Sequence, residues 1–207
     1  MSAEEPAPRL PPTRRRALQA LAAAAAIAAG AGGSLHFLWP RAEGTNVKIG
    51  GPFRLKSQDG GTVDSARLTG KPYAVFFGFT HCPEVCPTTL SDLAQAFAAI
   101  PDLPADFRVY FISVDPERDT PEVLKEYTSN FDPRIVGLWA SPAELPKVAK
   151  EFAVYYEKIP TSDGSYTMNH TAVVFLMDRH NKFRSVINYD DPVDTYVRKL
   201  KELIAAE

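Results

Sequence analysis

The sequence predicts one α/β domain: a central mixed sheet with parallel crossovers, helices on both faces and an antiparallel hairpin at one side. Three observations predict it. From residue 73 onward, apolar runs of strand length alternate with stretches of helical spacing, the order that builds a parallel sheet. Near the C-terminus, TAVVFLM (171–177) and FRSVI (183–187) flank the turn Asp178–Lys182 and read as a hairpin. The chain has 207 residues, enough for one domain with its own core and a leader in front of it.

The elements follow in order. PFRLKSQDGGTV (52–63) predicts a small hairpin turning at Asp59-Gly60-Gly61. YAVFFGF (73–79) is a continuous apolar run rich in aromatic residues, as expected of a central strand buried on both faces. Pro87 to Ile100 carries Leu90, Leu93, Ala94, Phe97 and Ile100 at helical spacing. FRVYFISV (107–114) is the next strand, and Thr120-Pro121-Glu122 opens a helix with a capping hydroxyl followed by proline. RIVGLWA (134–140) is a third strand, and Ser141-Pro142-Ala143-Glu144 forms a capping box before a helix running to about Phe152. After the C-terminal hairpin, Asp191-Pro192 is expected to cap a last helix ending near Ile204.

Composition excludes several functions. Two cysteines make neither a disulfide scaffold nor a four-thiolate zinc site. With 23 Lys+Arg against 25 Asp+Glu there is no charge footprint for nucleic acid. The charge is unevenly placed, however. Residues 1–16 hold four arginines against two glutamates, and residues 17–39 contain no Asp, Glu, Lys or Arg. A helix of that length spans roughly 34 Å, enough for a hydrocarbon core of about 30 Å. Arg14–Arg16 before it would hold the N-terminus in the cytoplasm.

The expected organisation is therefore a cytoplasmic basic leader (1–16), a single-pass transmembrane anchor (17–39), a tether (40–50) and an exported domain (51–207). Small residues at 29–34 allow the alternative of a cleaved signal peptide. The Arg pair in TRRRAL would also suit twin-arginine export. In a bacterium each route puts the domain on the periplasmic side of the inner membrane, where a cysteine pair can persist as a disulfide.

Both cysteines lie in GFTHCPEVCPTTL, between the first central strand and its helix. Open α/β sheets carry functional groups beyond the carboxyl ends of their strands. A helix N-terminus favours the thiolate, the form that attacks and binds metal. Cys82 and Cys86, four residues apart, can close a disulfide or grip one soft metal ion. Against this stands the plain reading of two small core residues, which an oxidising compartment and the strand–helix junction disfavour.

A metal site needs a further donor. His36 lies in or beside the apolar segment, His180 sits in a turn between basic residues, and His81 adjoins Cys82 with a diverging side chain. His170 immediately precedes the strand TAVVFLM, after the Gly/Ser/Tyr loop expected at 161–169. Met168, a soft thioether two residues away, reads more simply as core filler. Two thiolates suit Cu(I), and an imidazole helps to hold Cu(II). Zinc would accept the same donors, so chemistry alone leaves the metal open.

GGPFRL, FFGFTHCPEVCPTTL, ISVDPERDTP and the tripeptide NHT before an apolar strand, in that order, resemble the Sco/SenC family over roughly residues 48–205. The resemblance implies a thioredoxin-like fold. It implies one copper ion, as Cu(I) or Cu(II), held by Cys82, Cys86 and His170. It also implies a partner, subunit II of cytochrome c oxidase, whose CuA centre the family helps to assemble. Asn169 stands where some members have Asp, which alters a charge beside the histidine and no ligand. Asp115 and Asp119 also look like family positions. Asp115-Pro116 is expected to start a turn, Asp119 and Thr120 to cap the next helix, and Asp115 to support the site from the same edge.

The leading expectation is a membrane-tethered copper metallochaperone, exchanging copper with other periplasmic chaperones or with subunit II. The rival is a periplasmic thiol–disulfide oxidoreductase in which Cys82 attacks and Cys86 resolves, keeping the oxidase cysteines reduced with the help of thiol reductants. A peroxidase would want an arginine beside the thiolate, and none occurs between residues 73 and 90.

Overall fold

The computed structural model describes residues 48–206. The basic leader, the expected anchor at 17–39 and His36 lie outside the described residues. Among the described residues no helix is long and apolar enough to cross a membrane.

The strands are β1 (Arg54–Ser57), β2 (Thr62–Asp64), β3 (Tyr73–Gly78), β4 (Val109–Ser113), β5 (Ile135–Trp139), β6 (Tyr156–Pro160), β7 (Tyr166–His170), β8 (Val173–Met177) and β9 (Phe183–Asn188). The helices are α1 (Val85–Ala98), α2 (Pro121–Thr128), α3 (Leu145–Glu151) and α4 (Val193–Ala205). Seven strands form one mixed sheet in the order β2-β1-β5-β4-β3-β8-β9. β4 runs parallel to both β3 and β5, while β8 and β9 return antiparallel beyond β3.

β3 and β4 sit at the centre and are buried at every position, which is why both read as unbroken apolar runs. Register and pleat put Phe77 and Ile112 on one face, and Phe76 and Phe111 on the other. Phe152, at the end of α3, packs on the first face, its ring centroid 5.5 Å from Phe77 and 5.4 Å from Phe175. Tyr127 of α2 packs on the second, 5.7 Å from Phe111. Helices therefore cover both faces. Each fully buried Phe or Leu contributes about 1.5–3 kcal/mol of transfer free energy.

Three expectations are corrected. The segment 161–169 is not one long loop. Tyr156–Pro160 and Tyr166–His170 form an antiparallel two-stranded sheet of their own, with Tyr156 opposite His170. All of its strand positions are exposed or half-buried, so the ribbon lacks the apolar alternation that marks a strand.

Asp119 does not cap α2. Thr120 does, accepting from the Val123 N–H, while the Asp119 carboxylate turns inward. Asp191 does not cap α4, which starts without a side-chain cap. Its carboxylate accepts from the Asn188 N–H and pairs with Lys199. The expected hairpin at 52–63 forms as β1–β2, and β1 also extends the main sheet beside β5. Of the Ser141–Glu144 box only half forms: Glu144 accepts from the Ser141 N–H and hydroxyl, while α3 starts at Leu145 without a side-chain cap.

Candidate metal centre

The chain leaves β3 at Gly78, passes the buried Phe79 and turns sharply, the Cys82 N–H donating to the Phe79 carbonyl at 3.2 Å. α1 begins at Val85, so Cys86 sits in the first turn, where backbone N–H groups have no helical partner. Pro87 falls in the same turn and removes no helical hydrogen bond. The Cys86 N–H donates to the Cys82 sulfur at 3.3 Å. Cys82 is half-buried, Cys86 is fully buried, and both are free thiols. Gly78 makes room for this packing. A Cβ there would stand 2.8 Å from the Cys86 sulfur and 2.5 Å from a Phe111 ring carbon.

The two thiols are not equivalent. A hydrogen bond from Cys86 holds the Cys82 thiol far below its ordinary value, down to about 4, against the opposing effect of burial. The N–H groups of Cys86 and Glu84 add to the lowering. The same hydrogen bond, together with burial, pushes Cys86 up. At neutral pH the pair therefore shares one proton: Cys82 is the half-exposed thiolate and Cys86 the buried thiol.

His170 arrives from the other direction, at the end of β7. Its Nε2 lies 3.6 Å from the Cys86 sulfur. Its Nδ1 faces the Thr171 carbonyl at 3.0 Å, which fixes the proton on Nδ1 and turns the Nε2 lone pair toward the sulfurs. The imidazole stands edge-on to Phe79, with centroids 5.8 Å apart, and packs against Phe76 at 6.4 Å. These rings position the imidazole, a role the apolar run 73–79 did not announce. The donor atoms of Cys82, Cys86 and His170 all lie within 4.8 Å of one another. Two sulfurs and one imidazole nitrogen around so small a space can hold one copper ion.

The other candidates stand apart. His81 is exposed and bonds Thr80, with its Nδ1 3.9 Å from an Asp119 oxygen. His180 is exposed in the β8–β9 turn, and Met168 packs against the core. Asp119, fully buried, accepts from the Thr80 N–H at 3.0 Å, the Thr80 hydroxyl at 2.6 Å and the Ser113 hydroxyl at 2.6 Å. It thus ties the start of the cysteine loop to the end of β4. Burial raises its carboxyl above the ordinary value, partly offset by those three bonds.

A four-residue dithiol at the junction of a central strand and its helix, faced by an imidazole from a separate ribbon, defines a thioredoxin-like domain adapted to bind metal. Comparison with known proteins narrows this further. The family model SCO1/SenC matches residues 41–205, and the chain belongs to that family. It is 41% identical over 148 residues to "Protein SCO1 homolog 1, mitochondrial" of Arabidopsis thaliana, a match covering 71% of this chain and 44% of that protein's length.

Its fold is similar to that of Bradyrhizobium japonicum ScoI with copper bound, at a TM-score of 0.69 and 46% identity, covering 75% of this chain and 99% of the other. It is also similar to BsSco, a member of the Sco family of cytochrome c oxidase assembly proteins in which a disulfide switch has been identified. There the TM-score is 0.60 and the identity 25%, over 77% and 95% of the two chains.

Proposed function

We propose that this protein is a copper metallochaperone for cytochrome c oxidase, with Cys82, Cys86 and His170 as the ligands of one copper ion and the CuA site of subunit II as its destination. The observation that carries the reading is the convergence of three donors from two separate elements within 4.8 Å. Copper is the cargo. Cys82 offers a ready thiolate, and Cys86 gives up its proton on binding. His170 offers Nε2 with its tautomer already set. The half-exposed Cys82 leaves one side of the site reachable, as ligand exchange with an acceptor requires. The apolar segment 17–39 supports an anchor in the bacterial inner membrane with this domain in the periplasm, where tethering raises the effective concentration of a membrane-bound acceptor.

A second reading, thiol–disulfide exchange, is favoured by the unequal titration of the pair. The Cys82 thiolate would attack a disulfide of the partner and release one of its sulfurs as thiolate. Cys86, losing its proton, would then attack Cys82 and close the intramolecular disulfide. Two electrons pass to the partner, whose two sulfurs end as thiols. Oxidising the pair removes two of the three copper donors, so the two activities alternate on one site.

The test incubates the copper-loaded full chain with reduced, metal-free subunit II and measures copper on each after separation. Copper should move to subunit II. Copper that stays behind, while the metal-free dithiol reduces an oxidised subunit II, would overturn the chaperone reading in favour of the reductase.

A further inference from the structure

The ribbon β6–β7 that carries His170 belongs to no larger sheet, and a two-stranded ribbon is only marginally stable alone. What fixes it therefore fixes the imidazole. Among the described residues, its side-chain hydrogen bonds and ion pairs to the rest of the domain, apart from the His170–Cys86 contact and the bonds to its own flanking residues Tyr155 and Thr171, all end on one turn, residues 115–118. The Arg118 Nη1 donates to the Tyr166 carbonyl at 2.9 Å, and its guanidinium carbon lies 3.7 Å from the centroid of the Tyr166 ring. The Arg118 Nε pairs with Asp115 at 2.5 Å. The Tyr166 hydroxyl donates to the other Asp115 oxygen at 2.9 Å. Outside this knot, Lys158 bonds Glu117 at 2.7 Å and its ammonium sits 3.9 Å from the same tyrosine ring.

We propose that Arg118 is a positioning residue that, with Tyr166, locks the ribbon shut and thereby holds His170 at the thiols, so that the lock favours Cu(II) over Cu(I). Tyr166 stands four residues before His170 on the same strand, about 13 Å along it and on the same face. Arg118 reaches the other end of this lever too. Its guanidinium carbon lies 6.0 Å from the Phe79 centroid, and Phe79 is the ring on which the imidazole stands.

The arginine is held in this place even though its buried Nη2 has no partner. An orphaned donor of this kind calls for a reason other than local satisfaction. Releasing the ribbon would leave two thiolates, a set suited to Cu(I), whereas Cu(II) depends on the nitrogen.

This inference rests on the copper reading, and its test separates the two. Arg118→Met keeps the apolar stem and removes every donor, while Tyr166→Phe removes only the bond to Asp115. In the metal-free full chain, the rate at which diethylpyrocarbonate modifies His170, read by peptide mass spectrometry, should rise in Arg118→Met and rise less in Tyr166→Phe. In the same variant, Cu(II) affinity should fall about 10–100-fold and Cu(I) affinity less than about threefold. On a His170→Ala background Arg118→Met should have no further effect on Cu(II), because both changes act through one ligand.

Unchanged His170 reactivity in both variants would overturn the lock, as would equal losses for the two oxidation states or a Cu(II) loss that persists without the imidazole. A wild type that takes no copper but shows the rise in reactivity would keep the lock and remove the copper reading.

Discussion

Replacing Cys86 by alanine should abolish stoichiometric copper binding and, in the same protein, raise the titration of Cys82. The first effect exceeds the 10–100-fold loss expected for an outer partner of a ligand, about 10–100-fold being the usual cost of that milder change, because one of the two soft donors is gone. The second follows from the cause of the lowered Cys82 value. The hydrogen bond from Cys86 is the largest contribution to it. Without that donor, burial opposes ionisation, so the midpoint moves up from about 4 toward the ordinary thiol value of 9.0. Alkylation of Cys82 by iodoacetamide across pH 4–10 reads the midpoint directly, and a copper titration reads the stoichiometry. A variant that still alkylates with a midpoint near 4 would mean that the helix N–H groups, and not the second thiol, activate Cys82.

Asp119→Ala should destabilise the domain by about 2–4 kcal/mol, since a buried donor left without its acceptor costs about 1–3 kcal/mol and part of the loss is recovered by no longer burying a charge. Three donors lose their acceptor here, the Thr80 N–H, the Thr80 hydroxyl and the Ser113 hydroxyl. For a domain of this size that corresponds to a fall in Tm of roughly 4–16 °C, at about 2–4 °C per kcal/mol. The raised carboxyl has a signed consequence. A carboxyl whose folded value lies above its unfolded value stabilises the protein in acid, and that share is lost as pH rises through the folded value. The gap in Tm between wild type and Asp119→Ala should therefore widen as the pH is lowered toward the acid range. Calorimetry at two pH values checks both points. A gap that narrows in acid would show that the ionised carboxylate carries the stability.

Much of this architecture was legible because burial leaves a signature. Tyr73–Gly78 and Val109–Ser113 are enclosed on both faces, and their sequences are accordingly unbroken apolar runs. Thr120 announced its helix because an unpaired helix end selects a hydroxyl. Cys82 and Cys86 were recognisable from position alone, at the exit of a buried strand. His170 needed the family resemblance, since a lone histidine before a strand carries no signal of what it will face.

The ribbon β6–β7 escaped notice because its stability comes from elsewhere. YEKIP and YTMNH show little alternation, and their placement depends on a turn some 40–50 residues earlier. For the same reason Arg118 and Tyr166 could not be paired by reading along the chain. Asp119 misled in a different way. It stands where a capping residue would, but its carboxylate accepts from Thr80 and Ser113, so Thr120 alone caps the helix.

The most direct test of the central claim is the Cu(II) form of the full chain, examined by optical absorption and by pulsed electron resonance for imidazole nitrogen, in wild type and in His170→Ala. One copper per chain should give a thiolate-to-copper band together with coupling from a single imidazole, and the substitution should remove the nitrogen coupling and weaken Cu(II) binding. Identical spectra and affinities in the two proteins would contradict a three-donor site.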